Sequence, residues 1–221
     1  MPAQVFSVNL AVPRKLHSRG RDVPTGIFKE PADGRVRLGR LGLEGDLQAD
    51  KRYHGGPEKA VYVYASEHGI YWKDTLGLAA PPAPGYFGEN LTTQGLVEKD
   101  VAVGDVYRIG SALLRVTSPR SPCFKLGLRV GSARFVKTFL ESGRIGFYMG
   151  VVQAGDVGRG DSIERVSRPE KPLFLPQLIG LLFFSPTDPG ELETALGSGG
   201  LPPSVRSHLE DLAPEAPALP F

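Results

Sequence analysis

Hydrophobic and polar positions alternate from Gln4 to Val12, the period of a half-buried strand. Ala60 to Tyr64 is β-branched and aromatic, which also predicts a strand. Ser66 then caps a predicted helix that reaches about Leu76, with Glu67 in its first turn and Gly77 as its stop. Two further strands, Val101 to Ile109 and Ala112 to Ser118, flank a turn at Gly110-Ser111. Ser132 opens a second helix through Leu140, with Phe135, Val136, Phe139 and Leu140 on one face and Gly143 just past its end. Gly146 to Gln153 and Ser162 to Val166 read as strands. Between Pro13 and Pro57 the periodicity fails, and only Val36 to Leu38 suggests a short strand in a turn-rich stretch. About seven short strands with two helices predict a mixed sheet or a closed barrel.

The pattern changes at Arg168-Pro169-Glu170-Lys171-Pro172. Ten of the 20 prolines lie from Pro169 onward, so only short helices fit there. Three are predicted: Phe174 to Phe183; one behind Asp188 with Pro189 first, Glu191 in a capping box and Gly197 as stop; and Pro203 to Leu212. Helices this short must pack on each other or on the main unit. The expected division is a β-rich domain over 1–168 and a small three-helix domain over 173–213, with Pro214 to Phe221 as a loose tail.

Composition narrows the function classes. Across 221 residues, 26 basic and 24 acidic side chains leave a formal charge of +2, which gives no case for nucleic-acid or membrane binding. Any anion site must therefore be local. There is no signal-peptide pattern and no apolar run long enough to span a bilayer. One cysteine cannot form an internal disulfide, so a cytoplasmic setting is expected.

Four segments concentrate unusual residues: Asp50 to Lys59, Tyr86 to Thr93, Ser118 to Leu126 and Gly143 to Tyr148. In the third, Pro119 and Pro122 argue against a regular helix and for a stiff loop after a strand. Cys123 there has Arg120 and Lys125 nearby, and cations favour the thiolate, the form that attacks or binds metal. Taken alone, the same cysteine reads more readily as an inert buried hydrophobe, the usual fate of a free Cys. His54 sits in a glycine-rich loop beside Lys51 and Arg52, either an anion cradle or a solvated turn. Glu89-Asn90-Leu91-Thr92 offers polar groups for a ring or phosphate, or a turn bonding its own backbone. Arg144 faces a pocket or is a helix-end cation. His17, His54, His68 and His208 lack metal-ligand spacing, so a zinc site made of protein ligands alone is not expected.

In order, Arg52-Tyr53-His54-Gly55-Gly56, Phe87-Gly88-Glu89-Asn90-Leu91-Thr92, Gly104-Asp105-Val106, Pro119 to Leu126 and Gly146-Phe147-Tyr148 resemble MOSC-domain proteins. The name stands for the C-terminal domain of molybdenum cofactor sulfurase. The resemblance is to the bacterial YiiM-type branch, which also carries a C-terminal three-helix domain. It implies a mainly β, α+β fold with a closed or partly closed β-barrel and a few helices. It implies molybdopterin with molybdenum as cofactor and Cys123 as the metal ligand. His54, Asn90, Thr92, Arg120 and Lys125 would line the cofactor pocket. Lys51, Arg52 and Arg144 would add to the basic cluster that the pterin's phosphate requires. Similar proteins reduce N-hydroxylated compounds, including nucleobase analogues, a detoxifying reaction. Their electrons come from a separate reductase, expected to carry flavin or an iron–sulfur cluster. Glu89 or His54 would then help protonate the departing oxygen. The chain itself would be a monomer or homodimer. A cysteine-persulfide sulfur carrier and a non-catalytic cofactor carrier are the alternatives. The larger sulfurases have a pyridoxal-phosphate domain ahead of this one, which 221 residues do not accommodate, so pyridoxal phosphate is not expected.

Overall fold

A computed structural model describes residues 2–18, 20–47, 56–184 and 189–212. The loop holding Lys51, Arg52 and His54, and the expected tail Pro214 to Phe221, lie outside the described residues.

The strands among them are β1 (Gln4–Ala11), β2 (Arg14–Ser18), β3 (Arg21–Thr25), β4 (Lys29–Pro31), β5 (Arg35–Gly39), β6 (Gly42–Leu43), β7 (Val61–Ala65), β8 (Leu91–Gln94), β9 (Val106–Ile109), β10 (Ala112–Pro119), β11 (Phe147–Gln153), β12 (Gly155–Gly158) and β13 (Ile163–Ser167). The helices are α1 (Gly69–Leu76), α2 (Phe124–Val130), α3 (Phe135–Glu141), α4 (Leu175–Phe183), α5 (Pro189–Leu196) and α6 (Pro203–Asp211).

Eight strands form the main sheet in the order β13-β9-β10-β11-β7-β8-β1-β4. Of its neighbouring pairs, β7 and β8 alone run parallel, with Val63 opposite Leu91. The sheet curls until its ends nearly meet. Gln4 bridges Ser162, Val5 N donates to Asp161 O (2.9 Å) and Ile163 N donates to Ala3 O (2.8 Å). The result is a partly closed barrel, as the resemblance implied. A smaller sheet, β12-β5-β6, and the β2–β3 ribbon stand beside it.

Strand β7 explains how the core divides. Side chains alternate across a strand, so its two faces can bury different sets. Val61 and Val63 face the barrel interior with Leu91, Leu114, Val116 and Met149. Tyr62 and Tyr64 face the other way, into an aromatic cluster with Trp72, Phe87, Phe135 and Phe139 beneath α1 and α3. Ring centroids there are 4.9–6.3 Å apart, and Trp72 Nε1 donates to the Tyr64 hydroxyl. That hydroxyl donates in turn to Arg144 O (3.0 Å). Gly146 lets the chain enter β11 against this cluster. It sits at φ 68°, and a Cβ there would stand 2.4 Å from Val63 O.

The C-terminal helices complete the barrel core. Leu175, Leu178, Leu192 and Leu209 join the buried set that contains Val101, Val103 and Leu114. Arg168 fastens the crossing from β13. Its Nε and Nη2 donate to the fully buried Asp105 carboxylate at 2.8 and 2.6 Å, and Nη2 also reaches Asp100 O (2.8 Å).

Several expectations change. The turn-rich stretch after Pro13 contains the β2–β3 ribbon and three short strands. Ribbon residues are largely exposed, so no apolar alternation marks it. The strand expected from Val101 starts only at Val106, because Val101 and Val103 bond to Leu175 and Leu173 instead, and only Gly104 and Asp105 reach Val116 of β10 before it. The helix expected behind a Ser132 cap begins only at Phe135, with Arg134 at its N-cap. The segment around Cys123 does carry a helix. Cys123 is in extended conformation (φ −123°, ψ 171°) and α2 starts directly after it, so the prolines precede the helix without interrupting it.

Candidate functional site

Strand β10 ends at Pro119, and the next residue, Arg120, turns back beneath the aromatic cluster. Its backbone N donates to Gly146 O (3.1 Å). Its guanidinium is buried, with Nη1 donating to the Tyr62 hydroxyl (3.0 Å) and to Phe87 O (2.7 Å). It also lies over the Tyr62 ring at 4.6 Å. Burial opposes the Arg120 charge, yet the oxygens of Tyr62 and Tyr148 and the Cys123 thiol hold it above its ordinary value. Burial raises the Tyr62 phenol, which stays neutral and donates to Ile145 O (2.8 Å).

Cys123, half-buried, opens onto a cavity of about 110 Å³ in front of this arginine. Lys125, Lys59 and Tyr148 line the same space, with Asn90 and the pair Lys29–Asp46 on its opposite wall. The Lys59 ammonium is 5.9 Å from the centre of the Tyr148 ring. Four of the described lining side chains are basic and one is acidic. A local cationic pocket in a near-neutral chain is the arrangement an anionic ligand needs.

The opposite wall is tightly bonded. Lys29 Nζ reaches both oxygens of Asp46 at 2.5 and 2.6 Å, with both side chains 6% exposed. Ala11 N and Asn90 Nδ2 each donate to Asp46 at 2.8 Å. The Asn90 Oδ1 accepts from Tyr62 N (3.1 Å). Burial pushes the Lys29 ammonium down, and Asp46 partly restores it. Lys59 and Tyr148 stood inside segments singled out from the sequence but were given no site role, and sequence reasoning missed Lys29, Asp46 and Tyr62. Their only early signal was type: a basic or acidic residue inside turns, and a tyrosine inside a strand.

The structure thus gathers Cys123, Arg120, Lys125 and Asn90 around one cavity, and sets three other named residues apart. Glu89 is buried with Thr92 beside a different depression, lined also by Phe6 and Pro81. Its Oε1 accepts from Gly85 N (2.7 Å) and the Thr92 hydroxyl (2.9 Å), and its Oε2 from Phe87 N (3.1 Å). Thr92 Oγ1 accepts from Asn9 Nδ2 at 3.0 Å. Arg144 stacks on Tyr71 at 4.1 Å and donates to Ser142 O at 3.1 Å. Lys51, Arg52 and His54 are outside the described residues.

Glu89 yields a pH prediction. Burial raises its carboxyl above the ordinary value of 4.5, despite the hydrogen bonds that favour its charge. The folded chain therefore keeps this proton to higher pH than the unfolded chain. The stability that Glu89 contributes is full below about 4.5 and is lost as pH rises through the folded value. Urea unfolding of the wild type and Glu89→Gln across pH 4.5 to 7.5 should show the wild type losing ground to the variant as pH rises. A pH-independent gap would contradict this.

A family model for the MOSC domain matches residues 50–164. The chain belongs to the MOSC-domain family. The matched span holds Cys123, Arg120, Lys125, Asn90 and Lys59, and stops short of Lys29 and Asp46. The MOSC chain is 44% identical over 167 residues to the uncharacterized protein YflK of Bacillus subtilis, covering 76% of this chain and 75% of that one. It is 36% identical over 156 residues to a protein named reductase in Gibberella moniliformis, across 68% of this chain and 27% of the fungal protein. Among solved structures, YiiM from Geobacillus stearothermophilus superposes with a TM-score of 0.80 at 30% identity, over 96% of this chain and all of that one. The YiiM likeness extends beyond the MOSC match through most of the C-terminal helices.

Proposed function

We propose that this MOSC protein is a molybdenum-cofactor-dependent reductase of N-hydroxylated compounds that draws electrons from a separate reductase. MOSC domains are linked in general to the molybdenum cofactor. The observation that carries the reading is a half-buried thiol, Cys123, opening onto a cavity with Lys59, Lys125 and Arg120 around it. A molybdopterin needs one soft protein ligand for its metal and cations for its phosphate. The donor set present fits both needs. The fungal relative named reductase supports the reaction class, although the match covers only part of that protein.

When bound, the cofactor would supply two-electron transfer to a nitrogen–oxygen bond. The chain's own residues would do the rest. Cys123 would hold the metal, and Lys59 and Lys125 would balance the phosphate. Arg120, locked by Tyr62 and Phe87 O, would keep positive charge behind the thiol. The reaction would be R–NHOH plus two electrons and two protons giving R–NH2 plus water, with flavin or iron–sulfur chemistry in the partner supplying the electrons. Glu89 points away from the cavity, so the proton for the leaving oxygen is better assigned to another group at the cavity. His54 remains the candidate from the sequence.

Protein made in a cofactor-competent host should contain near-stoichiometric molybdenum and reduce an N-hydroxylated base with an artificial electron donor. Cofactor without turnover would instead support a carrier. Persulfide on Cys123 without metal would support sulfur transfer.

A further inference from the structure

Cys123 lies in the wall between two spaces of opposite character. On one side is the cationic cavity of about 110 Å³. On the other is an open groove of about 1110 Å³, between the turn joining α2 to α3 and the edge of the β2–β3 ribbon. Val23, Pro122, Phe124, Leu128 and Val136 give the groove an apolar lining, and Arg21 at the ribbon edge is its one charged lining residue among those described. Phe124 follows Cys123 directly and is 55% exposed, although it is the first residue of a helix whose neighbour Leu126 is fully buried.

We propose that this groove seats the organic body of the substrate, a planar uncharged ring, and so determines specificity. The inference rests on the reading of Cys123 as the metal-bearing residue and adds where the substrate lies. A cofactor with a charged phosphate belongs on the side with Lys59, Lys125 and Arg120. An apolar groove offers such a phosphate little. It offers an aromatic ring both area and a stacking partner in Phe124. A ring seated there brings an exocyclic N–OH group towards Cys123, where the two spaces meet. Apolar grooves of this kind, rimmed by polar residues, mark ligand sites more often than bare surface.

The test uses molybdenum-loaded protein, the wild type beside Phe124→Asp, Val23→Asp and Phe124→Trp. Two substrates are compared: N-hydroxylated adenine, which has a ring, and hydroxylamine, which has none. Both aspartate variants should lower the kcat/KM ratio of ring substrate to hydroxylamine at least tenfold, mainly through KM for the ring. Phe124→Trp should keep the ratio. Equilibrium dialysis of adenine, the product, should show at least tenfold weaker binding to Phe124→Asp. Molybdenum loss from the aspartate variants would place the cofactor in the groove and overturn the proposal. An unchanged ratio with unchanged adenine binding would overturn it too. If the wild type binds adenine through Phe124 yet reduces neither substrate, the proposed reaction falls while the groove assignment stands.

Discussion

Cys123→Ala is expected to fold normally and to lose the proposed reductase activity by more than about a hundredfold, together with most of the molybdenum proposed to bind there. The folding half of this expectation follows from position. Cys123 is half-buried, and its side chain makes no capping bond to α2. Removing one sulfur from such a place costs about 1 kcal/mol or less. The activity half follows from chemistry, since the cavity's other described lining side chains are hard nitrogen and oxygen donors or apolar groups. Metal analysis, circular dichroism and turnover on one preparation separate the two halves. Cys123→Ser is the companion variant: it keeps the shape and replaces the soft donor with a hard one, so it should fail almost as completely. An alanine variant that remains active and loaded would remove the ligand role from Cys123.

Arg168→Ala should destabilise the protein by about 3 kcal/mol, the lower part of the range for stranding one member of a buried ion pair. Asp105 is completely buried, and its carboxylate accepts from Arg168 twice, from Ala102 N (3.0 Å) and from the Tyr107 hydroxyl (3.2 Å). Without the guanidinium, an uncompensated carboxylate would remain buried, bonded only to Ala102 N and the Tyr107 hydroxyl among the described partners. The lower figure is appropriate because the Arg168 side chain keeps 24% exposure, which lets water reach the gap. Urea unfolding at neutral pH should show the midpoint shift. Asp105→Asn combined with Arg168→Met should recover part of the loss, because no charge is then left buried. A single variant as stable as the wild type would mean that the helices hold without this bond.

What could be read in advance follows physical lines. Strand β7 and strand β11 announce themselves because Val61 to Tyr64 are β-branched or aromatic and Phe147-Tyr148 is aromatic, both followed by apolar residues. The three C-terminal helices are marked by prolines at their starts and apolar faces. The β2–β3 ribbon is illegible because Arg14 to His17 and Arg21 to Pro24 are mostly polar and lie largely in solvent. Strand β12 hides because Gly155-Asp156-Val157-Gly158 looks like a turn. Gly155 is needed there, since a Cβ would meet Ser111 and Ala112 backbone at 2.5 Å. At the site, the residues in ordered motifs were named from sequence, and Cys123, Asn90, Arg120 and Lys125 prove to share a cavity. Glu89 and Thr92 belong to the same motif as Asn90 but face inward. Glu89 and Asn90 precede β8, which starts at Leu91, so no strand alternation sets their directions, and the motif fixes neighbours without saying which depression each will line. Lys29 and Asp46 could not be paired in advance, because nothing in a turn-rich stretch says which of its charges will be buried together.

The contact that nearly closes the barrel also sets an order of assembly. Strand β1 pairs nearby in sequence with β4, but its other partners lie far along the chain: β8 begins at Leu91, and the closing contact comes from Asp161 to Ile163. The side of β1 that meets Asp161 to Ile163 therefore stays open until that late segment is in place, although β4 and β8 can pair with β1 before it. Pairings this distant in sequence are slow to form. The hairpin of β9 and β10, turned by Gly110, is the natural early nucleus. The seam between β1 and Asp161 to Ile163 should be the last contact of the barrel to form and the first to part under load.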